Sequence, residues 1–491
     1  MLFFNFDSTV SKIRNVIFVL SIYHGPIKNN TNKVSEPINK NKFKNLRQSF
    51  SRFIYDSFEY EFSDDSIKIK FNFNLDEKIF FTPTTIIPVK SFFIKDEIPR
   101  AVLDNIIFHI GMVELVSYWK AACPPLVVIK PFKLNAAQIA WWKKLYYFGL
   151  GEFFYLNGIG TDMESFMSIT SDSKVETSKF KMTFDDSYIV PVGGGKDSAV
   201  TLELLKSHSQ VTPFVINPRN ATSECIHAAG FSKDQTIEFF RKIDPALLDL
   251  NSKGFLNGHT PFSALLAFMS LLAGVLTRKR AIALSNEASA NETTVIGQDV
   301  NHQYSKSFEF EKDFREYVAN CINDDLYYFS FLRPLHEIQI ARLFSKFPQY
   351  FNVFKSCNAG SKTDIWCCNC PKCLFSFIIL SPFITPIKLV EIFGENLLDK
   401  ESLLPVFNQL IGVDSVKPFE CIGTVREVNM ALSMSISSYA GKLPYLLKVY
   451  SDTHAYITYK DFTSEQWLNV FDHENFLTAD HFQILKDSLS C

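Results

Sequence analysis

The sequence of 491 residues lacks an excess of either charge. It contains 50 lysines and arginines against 52 aspartates and glutamates, for a net charge of −2. Overall charge therefore argues against a nucleic-acid carrier, although a local basic patch stays open, and we expect no nucleic-acid partner. Hydrophobic residues make up 47% of the chain and charged residues 21%, which is typical of a globular protein with a substantial core.

The sequence also lacks an apolar run long enough to cross a membrane. Residues 16–23 form an apolar run of only eight residues, and no small-residue cleavage site follows it. Residues 374–387 are interrupted by Pro382 and Pro386, whereas a membrane helix needs about 20 apolar residues. We therefore expect no membrane span and a cytoplasmic location.

The cysteines lack the even spread of a secreted disulfide framework. Five of the ten lie between Cys357 and Cys373, and four of these follow the pattern C-x9-C-x2-C-x2-C. Four thiolates at such spacing are typical of a closed tetrahedral zinc site. The alternative is a group of buried cysteines without a metal. The predicted ligands of a structural Zn²⁺ are Cys357, Cys367, Cys370 and Cys373.

Apolar periodicity divides the chain into segments of different class. The first segment is basic and is expected to be loosely ordered. In the second segment, apolar and polar residues alternate on both sides of Asp64-Asp65, and the apolar residues then recur at helical spacing. This pattern predicts an α+β accessory domain that ends in a polar linker near 170–179. The third alternates strand and helix, which predicts a parallel, doubly wound α/β domain. The predicted segments are 1–50, 51–180, 181–350, a Cys-rich knuckle with a helical closing segment at 351–430, and a C-terminal extension at 431–491.

A glycine-rich turn, Gly193–Ser198, lies between the strand predicted at 188–192 and a predicted helix. Glycines let backbone N–H groups approach phosphate oxygens, and a helix start favours an anion. An aspartate in such a turn is suited to Mg²⁺. The turn lacks a glycine at position 190 and a hydroxyl residue at 197, so it is not a Walker loop, and Ser198 replaces the third glycine of the dinucleotide pattern. The predicted nucleotide-binding residues are Gly193, Gly194, Gly195, Lys196, Asp197 (also the Mg²⁺ ligand), Ser198 and, after the next strand, Asn217.

This turn resembles the S-G-G-x-D-S pyrophosphatase loop (PP-loop) of the ATP α-hydrolases, with Gly193 in place of the leading serine. Further sequence segments resemble those of one family within that class, the UDP-N-acetylmuramoyl-L-alanyl-L-glutamate epimerases. They are "VSYWKAACPP", "GLGEFFYLNGIG", "LNGHTPFSALLA", "LSNEASANE", "VNHQYSKSFEFE", "FLRPLHEIQIARLF", "WCCNCPKC" and "VKPFECIG". The resemblance covers most of residues 60–430.

The resemblance implies an adenine nucleotide α-hydrolase-like fold for the α/β domain. It implies that the terminal L-glutamate of UDP-MurNAc-L-Ala-L-Glu becomes D-glutamate during synthesis of cell-wall peptidoglycan. ATP and Mg²⁺ would be consumed, with AMP and pyrophosphate as products and the UDP-muramoyl dipeptide as the small-molecule partner. The acid and base are left open by the resemblance. Our candidates for catalysis are His259, Glu287, Glu292, His302 and Cys421, and those for binding substrate acids are Lys306, Arg333 and Lys417.

Two other functions are compatible with the sequence. Another adenylating enzyme of the same loop class, such as a 7-cyano-7-deazaguanine synthase-like enzyme or an amide-forming ligase, would consume ammonia or an amine. A non-catalytic ATP-binding protein would bind ATP without releasing pyrophosphate.

Overall fold

The protein is represented by a computed structural model that describes residues 36–94, 97–295, 300–414, 416–439, 441–461 and 469–490. The strands are β1 (Arg52–Phe62), β2 (Ser66–Leu75), β3 (Ile79–Phe81), β4 (Thr84–Pro88), β5 (Leu126–Ile129), β6 (Ser168–Ser171), β7 (Asp185–Pro191), β8 (Val211–Ile216), β9 (Ile237–Lys242), β10 (Lys279–Leu284) and β11 (Tyr327–Ser330). The helices are α1 (Glu36–Ser49), α2 (Arg100–Trp119), α3 (Ala136–Gly149), α4 (Gly151–Leu156), α5 (Lys196–Lys206), α6 (Asn220–Ala228), α7 (Pro245–Ser252), α8 (Phe262–Thr277), α9 (Phe308–Cys321), α10 (Glu337–Ser345), α11 (Pro371–Leu380), α12 (Pro386–Phe393), α13 (Leu404–Leu410), α14 (Val425–Ile436), α15 (Tyr445–Ser451), α16 (His454–Tyr459) and α17 (Ala479–Ser490).

The predicted parallel sheet is confirmed. Its strands lie in the order β11-β10-β7-β8-β9, and every neighbouring pair is parallel. Sequence periodicity did not predict β9, because its six residues include Glu238 and Arg241, which a buried strand disfavours. Arg241 is accommodated by Glu114 of α2, whose carboxylate accepts two hydrogen bonds from the guanidinium at 2.8 and 2.7 Å.

Helices cover both faces of the parallel strands. Ile189 and Phe214 belong to one core, which also contains α2 and α8. Their neighbours Val190 and Val215 belong to a second core on the opposite face, with α5 and α10. Successive strand residues point to opposite faces, so burial on both sides explains the nearly continuous apolar run of β7.

The antiparallel strands predicted before residue 100 are also present. β1 and β2 pair antiparallel around Asp64-Asp65, and β4 then pairs antiparallel with β9. Both halves therefore form one 11-stranded sheet. The separation of 51–180 from 181–350 as domains stays a prediction. The polar linker begins later than expected, because Thr170 and Ser171 pair with β5 as part of β6.

The described parts of both predicted extensions contain packed helices. Residues 1–35 of the basic segment lie outside the described ranges, but 36–49 form α1. Arg47 of α1 donates to the backbone carbonyls of Cys123 at 2.7 Å and Phe166 at 2.8 Å. At the other end, the ring of His481 in α17 lies 2.9 Å from the hydroxyl of Tyr188 in β7.

One helix in the described residues, α2, is long and apolar enough to pass a length-and-composition test for a membrane span. Of its most apolar window, 83% is buried inside the protein. Its neighbours are β1, β2 and α8. These contacts make α2 a core helix.

Candidate active site

The glycine-rich turn connects β7 to α5 at the carboxyl edge of the parallel strands. Gly194 has a φ of 83°, in the left-handed region that favours glycine. A Cβ there would lie 3.1 Å from the backbone nitrogen of Thr222 in α6, so close packing also requires glycine. Because α5 begins without a side-chain cap, its first N–H groups are available to an anion.

A cavity of about 260 Å³ opens beside this turn. Its walls combine the turn with segments that are distant along the chain, from Arg219 to Cys421, as expected where the carboxyl ends of parallel strands share one edge. The predicted residues that line it are Gly193, Gly195, Asp197, Ser198, Glu287, Lys306 and Cys421. Further lining residues were not singled out from the sequence, and the polar ones include Arg219, Ser263, Ser356, Asn358 and Lys372.

Lys196 is buried below the turn and does not line the cavity. Its ammonium forms ion pairs with the carboxylates of Asp197 and Glu337. Burial by itself would lower the pKa of Lys196, but these two carboxylates outweigh burial and raise that pKa above its ordinary value. Lys196 therefore fixes the position of Asp197 at the cavity wall.

Arg333 also lies beneath the cavity. Its side chain is fully buried, and its guanidinium donates to the Glu311 carboxylate at 3.0 Å and to the backbone carbonyls of Glu287 at 2.8 Å and Lys306 at 2.5 Å. The predicted contact between Arg333 and substrate stays untested. In the structure this residue supports two residues that do line the cavity.

Glu287 and Lys306 are ionisable residues of opposite charge in the wall of the cavity. Burial, and then the charge of Asp197, raise the pKa of Glu287 above its ordinary value. The hydroxyl of Ser289 donates to Glu287 at 3.0 Å. Burial by itself would lower the pKa of Lys306, but the Cys421 thiolate and Glu287 outweigh it and raise that pKa.

Several charged groups surround Cys421. Lys306 donates to its sulphur at 3.1 Å, and the imidazole of His302 is close enough to the same sulphur to influence its pKa. Lys372 donates to the backbone carbonyl of Cys421. Burial would raise the pKa of the thiol, but Lys306, His302 and Lys372 outweigh it and hold that pKa well below the usual value. The geometry therefore favours a thiolate.

The imidazole of His302 connects Cys421 to Glu152. Its Nδ1 lies 2.5 Å from the Glu152 carboxylate, so the other ring nitrogen is left for the sulphur. Burial would lower the pKa of His302, but the contacts with Cys421 and Glu152 raise it to about 9. His259 lies beside this pair, with its Nδ1 3.5 Å from Glu152, and burial and the charge of His302 lower its pKa to about 4.

We expect alkylation of Cys421 by iodoacetamide to be nearly independent of pH between 6 and 8. An ordinary thiol gains thiolate roughly 80-fold over that interval, whereas a pKa held below the usual value makes the gain for Cys421 much smaller. The charged groups facing it are Lys306, His302, Lys372 and Glu420. Peptide mass spectrometry would measure the rates. Lys306→Met should restore a steep pH profile, and a steep profile in the native protein would contradict the thiolate.

The other predicted site residues lie outside the walls of this cavity. The amide of Asn217 bonds the backbone of Arg241 in β9 at 3.0 and 2.8 Å. Glu292 and Lys417, predicted separately as catalytic and substrate-binding, form an ion pair with each other. His336 caps the start of α10.

The cysteine cluster forms as the spacing predicts. The four sulphurs of Cys357, Cys367, Cys370 and Cys373 all lie within 4.8 Å of one another, with separations of 3.8, 3.8 and 3.5 Å for the three contacting pairs. A tetrahedral zinc with Zn–S bonds of about 2.3 Å would separate its sulphurs by about 3.8 Å. The four thiols therefore fit a zinc ion. Cys368 points away and donates to the carbonyl of Phe393 at 3.1 Å.

Two family models match the chain. One, described as the MurL N-terminal domain, matches residues 44–331, which is more than half of the 491 residues. The chain belongs to the MurL family. A second model, described as the MurL C-terminal domain, matches residues 353–454. The first match contains the glycine-rich turn and His302, and the second contains the cysteine cluster and Cys421.

Curated relatives agree with this family membership. Three proteins named UDP-N-acetyl-alpha-D-muramoyl-L-alanyl-L-glutamate epimerase resemble this MurL-family chain. The protein from Micromonospora sp. is 37% identical over 68% of this chain and 75% of its own length. The protein from Salinispora tropica is 35% identical over 68% and 74%, and that from Xanthomonas oryzae pv. oryzae is 35% identical over 66% and 72%. No solved structure matches the chain.

Sequence reasoning missed Glu152, Glu337 and Lys372 in this MurL-family site. Glu152 lies in "GLGEFFYLNGIG" and Lys372 in "WCCNCPKC", so both belong to sequence segments that indicated the family. Glu337 directly follows "RPLH". Each is an ionisable residue among apolar neighbours, and that contrast is the one signal that could have found them.

Proposed function

We propose that this chain inverts the terminal L-glutamate of UDP-MurNAc-L-Ala-L-Glu to D-glutamate, as an isomerase in the synthesis of peptidoglycan precursors. The relatives named for that epimerase support the substrate. The observation that carries the proposal is the single cavity that places the glycine-rich turn beside Glu287, Lys306 and Cys421. Nucleotide activation and proton transfer would thus share one site.

The proposal includes an ATP pyrophosphatase type of α/β domain. Its support is the parallel five-stranded half of the sheet, the G-G-K-D-S sequence at the start of α5, and the uncapped N–H groups there. A phosphate chain at a helix start is stabilised by these N–H groups and by the helix dipole. ATP would be split into AMP and pyrophosphate, with AMP passing to the glutamate carboxylate.

Activation of the carboxylate explains why an epimerase would consume a nucleotide. Removing a proton from the carbon beside a carboxylate places a second negative charge next to the first. A pyridoxal Schiff base cannot help, because the glutamate nitrogen is in a peptide bond. An acyl-adenylate removes the carboxylate charge, so the neighbouring proton becomes acidic and can be returned from the opposite face. Each tenfold gain in rate requires about 1.4 kcal/mol.

The residues of the cavity suit these tasks. The carboxylates of Asp197 and Glu287 both line it, and oxygen ligands of this kind fit Mg²⁺. When bound there, Mg²⁺ would neutralise charge on the pyrophosphate. Lys306 would bind an acidic group of the substrate. Proton transfer would fall to Glu287 and Cys421, which line the cavity, and to the imidazoles of His302 and His259, which lie outside its walls.

We also propose that the four clustered thiols hold a structural Zn²⁺, since four thiolates leave no open position for catalysis. We expect native protein to contain about one zinc per chain, measured by elemental mass spectrometry. Cys373→Ser should lose it, because three remaining thiolates bind more weakly. Cys368→Ser is the matched control and should keep the ion, since its sulphur lies outside the cluster. Zinc retained in Cys373→Ser would contradict the site.

An assay in deuterated water separates the three functions considered. The protein is incubated with ATP, Mg²⁺ and UDP-MurNAc-L-Ala-L-Glu. We expect AMP, pyrophosphate, a D-glutamate terminus and deuterium at its α-carbon. AMP release that requires ammonia or an amine and occurs without inversion would favour the ligase. ATP binding without pyrophosphate release would favour the non-catalytic protein.

A further inference from the structure

Cys421 sits where an activated acyl group would be presented. It lines the same cavity as Gly195 and Asp197 of the glycine-rich turn, although more than 220 residues separate them along the chain. The residue is half-buried. The turn would hold the nucleotide, so the acyl carbon bonded to AMP would face the wall that contains this sulphur.

The surroundings of Cys421 differ from those of a cysteine that fills space. Cys225, for comparison, is fully buried within an apolar core, and burial raises its pKa to about 12. Cys421 instead has the ammonium of Lys306 at 3.1 Å and the imidazole of His302 close enough to influence its pKa. Two cationic groups directed at one sulphur stabilise a thiolate, the reactive form of cysteine.

The third group of the arrangement is Glu152. Its carboxylate lies 2.5 Å from Nδ1 of His302, which holds the imidazole with its other nitrogen toward the sulphur. A nucleophile, a base in contact with it and a carboxylate that orients the base form the constellation used for acyl transfer.

We propose that Cys421 is a covalent nucleophile that takes the glutamyl group from the acyl-adenylate as a thioester, with His302 as its base and Glu152 as a positioning residue. This inference rests on the proposed function, because it needs an activated carboxylate. Inversion then takes place on the thioester, whose uncharged carbonyl keeps the α-proton acidic. The Glu287 carboxylate takes that proton, the electron pair of the broken C–H bond moves onto the thioester carbonyl, and a proton from water is added to the opposite face while Glu287 returns its proton to water.

The steps balance without an additional reactant other than water. The thiolate electron pair forms the S–C bond, the C–O bond to phosphate breaks, and AMP leaves with that electron pair. Acylation removes the thiolate charge near His302, so the imidazolium releases its proton to water and becomes a base. Water then adds to the acyl carbon while His302 takes one of its protons. The S–C bond breaks, its electron pair returns to Cys421, and the new carboxylic acid ionises.

The test uses the full chain with ATP, Mg²⁺ and UDP-MurNAc-L-Ala-L-Glu, quenched in acid during turnover. We expect a peptide containing Cys421 to gain the mass of the substrate minus one water. The adduct should require ATP and should be removed by neutral hydroxylamine. Cys421→Ser should accumulate the corresponding oxygen ester, because an ester is hydrolysed more slowly than a thioester. Absence of any acylated peptide in both proteins would overturn the proposal.

Cys421→Ala provides a second, independent measurement. We expect inversion to fall by about 10³-fold or more, while substrate-dependent exchange of labelled pyrophosphate into ATP continues, which shows that the variant is folded. The control is Cys321→Ala, which lies outside the cavity and should invert at the native rate. Inversion by Cys421→Ala at more than a tenth of the native rate would overturn the thioester and leave the epimerase function intact. Absence of pyrophosphate release and exchange in the native protein would instead refute the proposed function.

The positioning role of Glu152 has its own readout. Glu152→Gln removes the charge that orients and stabilises the His302 imidazolium, so the pH at which Cys421 becomes reactive to iodoacetamide should rise. A structural role alone would not move that pH. An unchanged profile in Glu152→Gln would remove Glu152 from the arrangement.

Discussion

Replacing Asp197 with alanine is expected to reduce pyrophosphate release by at least about 10²–10³-fold, the effect of deleting one charge-stabilising group from an active site. Asp197 opens α5 at the cavity wall and is the residue of the turn that suits Mg²⁺. A coupled assay for pyrophosphate, with ATP and the UDP-muramoyl dipeptide, would measure the loss. The variant should still fold, because Glu337 remains as a partner for buried Lys196.

The matched control for that experiment is Asp186→Ala. Asp186 lies in the same strand–turn–helix unit, but its side chain is 85% exposed and pairs with Arg280 outside the cavity. It should release pyrophosphate at the native rate. Native release by Asp197→Ala would show that the nucleotide binds elsewhere and that the glycine-rich turn has no catalytic part.

The largest expected loss of stability follows from Arg333→Met. Removing this guanidinium leaves the Glu311 carboxylate buried without a cation, which costs about 3–5 kcal/mol. The side chains of Arg333 and Glu311 are 0% and 1% exposed. The same change removes the hydrogen bonds that hold the backbone of Glu287 and Lys306, so activity should fall as well. Urea unfolding would measure the loss of stability.

Two further variants make this prediction specific. Arg333→Met combined with Glu311→Gln should recover part of the loss, since the amide oxygen can still accept from the backbone nitrogen of Ser330, as Glu311 does at 2.9 Å. Arg280→Met breaks an exposed pair and should change stability by less than about 0.5 kcal/mol. Equal losses for Arg280→Met and Arg333→Met would contradict the buried pair.

Several elements were predictable because local chemistry specified them. The turn at 193–198 required glycines between an apolar strand and a helix, and Gly194 does occupy the left-handed region. The alternation of apolar and polar residues predicted the hairpin at Asp64-Asp65, which the structure contains. The cysteine spacing predicted four sulphurs in one cluster, and they lie within 4.8 Å of one another.

Other features were not predictable because they depend on partners distant in sequence. β9 carries Arg241 in a buried strand only because α2 supplies Glu114. The sequence offered Lys417 and Glu292 as separate site residues, but folding pairs them with each other. Their charges satisfy one another, and nothing in the local sequence of either residue indicates that pairing.

The sequence by itself determined the family, the glycine-rich turn, the alternation of strands and helices and the cysteine cluster, because each depends on neighbouring residues along the chain. Only the tertiary structure decided which ionisable groups share a cavity. Glu152, His302 and Cys421 come from three segments spread over 270 residues, roughly half the chain, and their charges depend on distances of a few ångströms. Such distances exist only after the strands, helices and loops between them have packed.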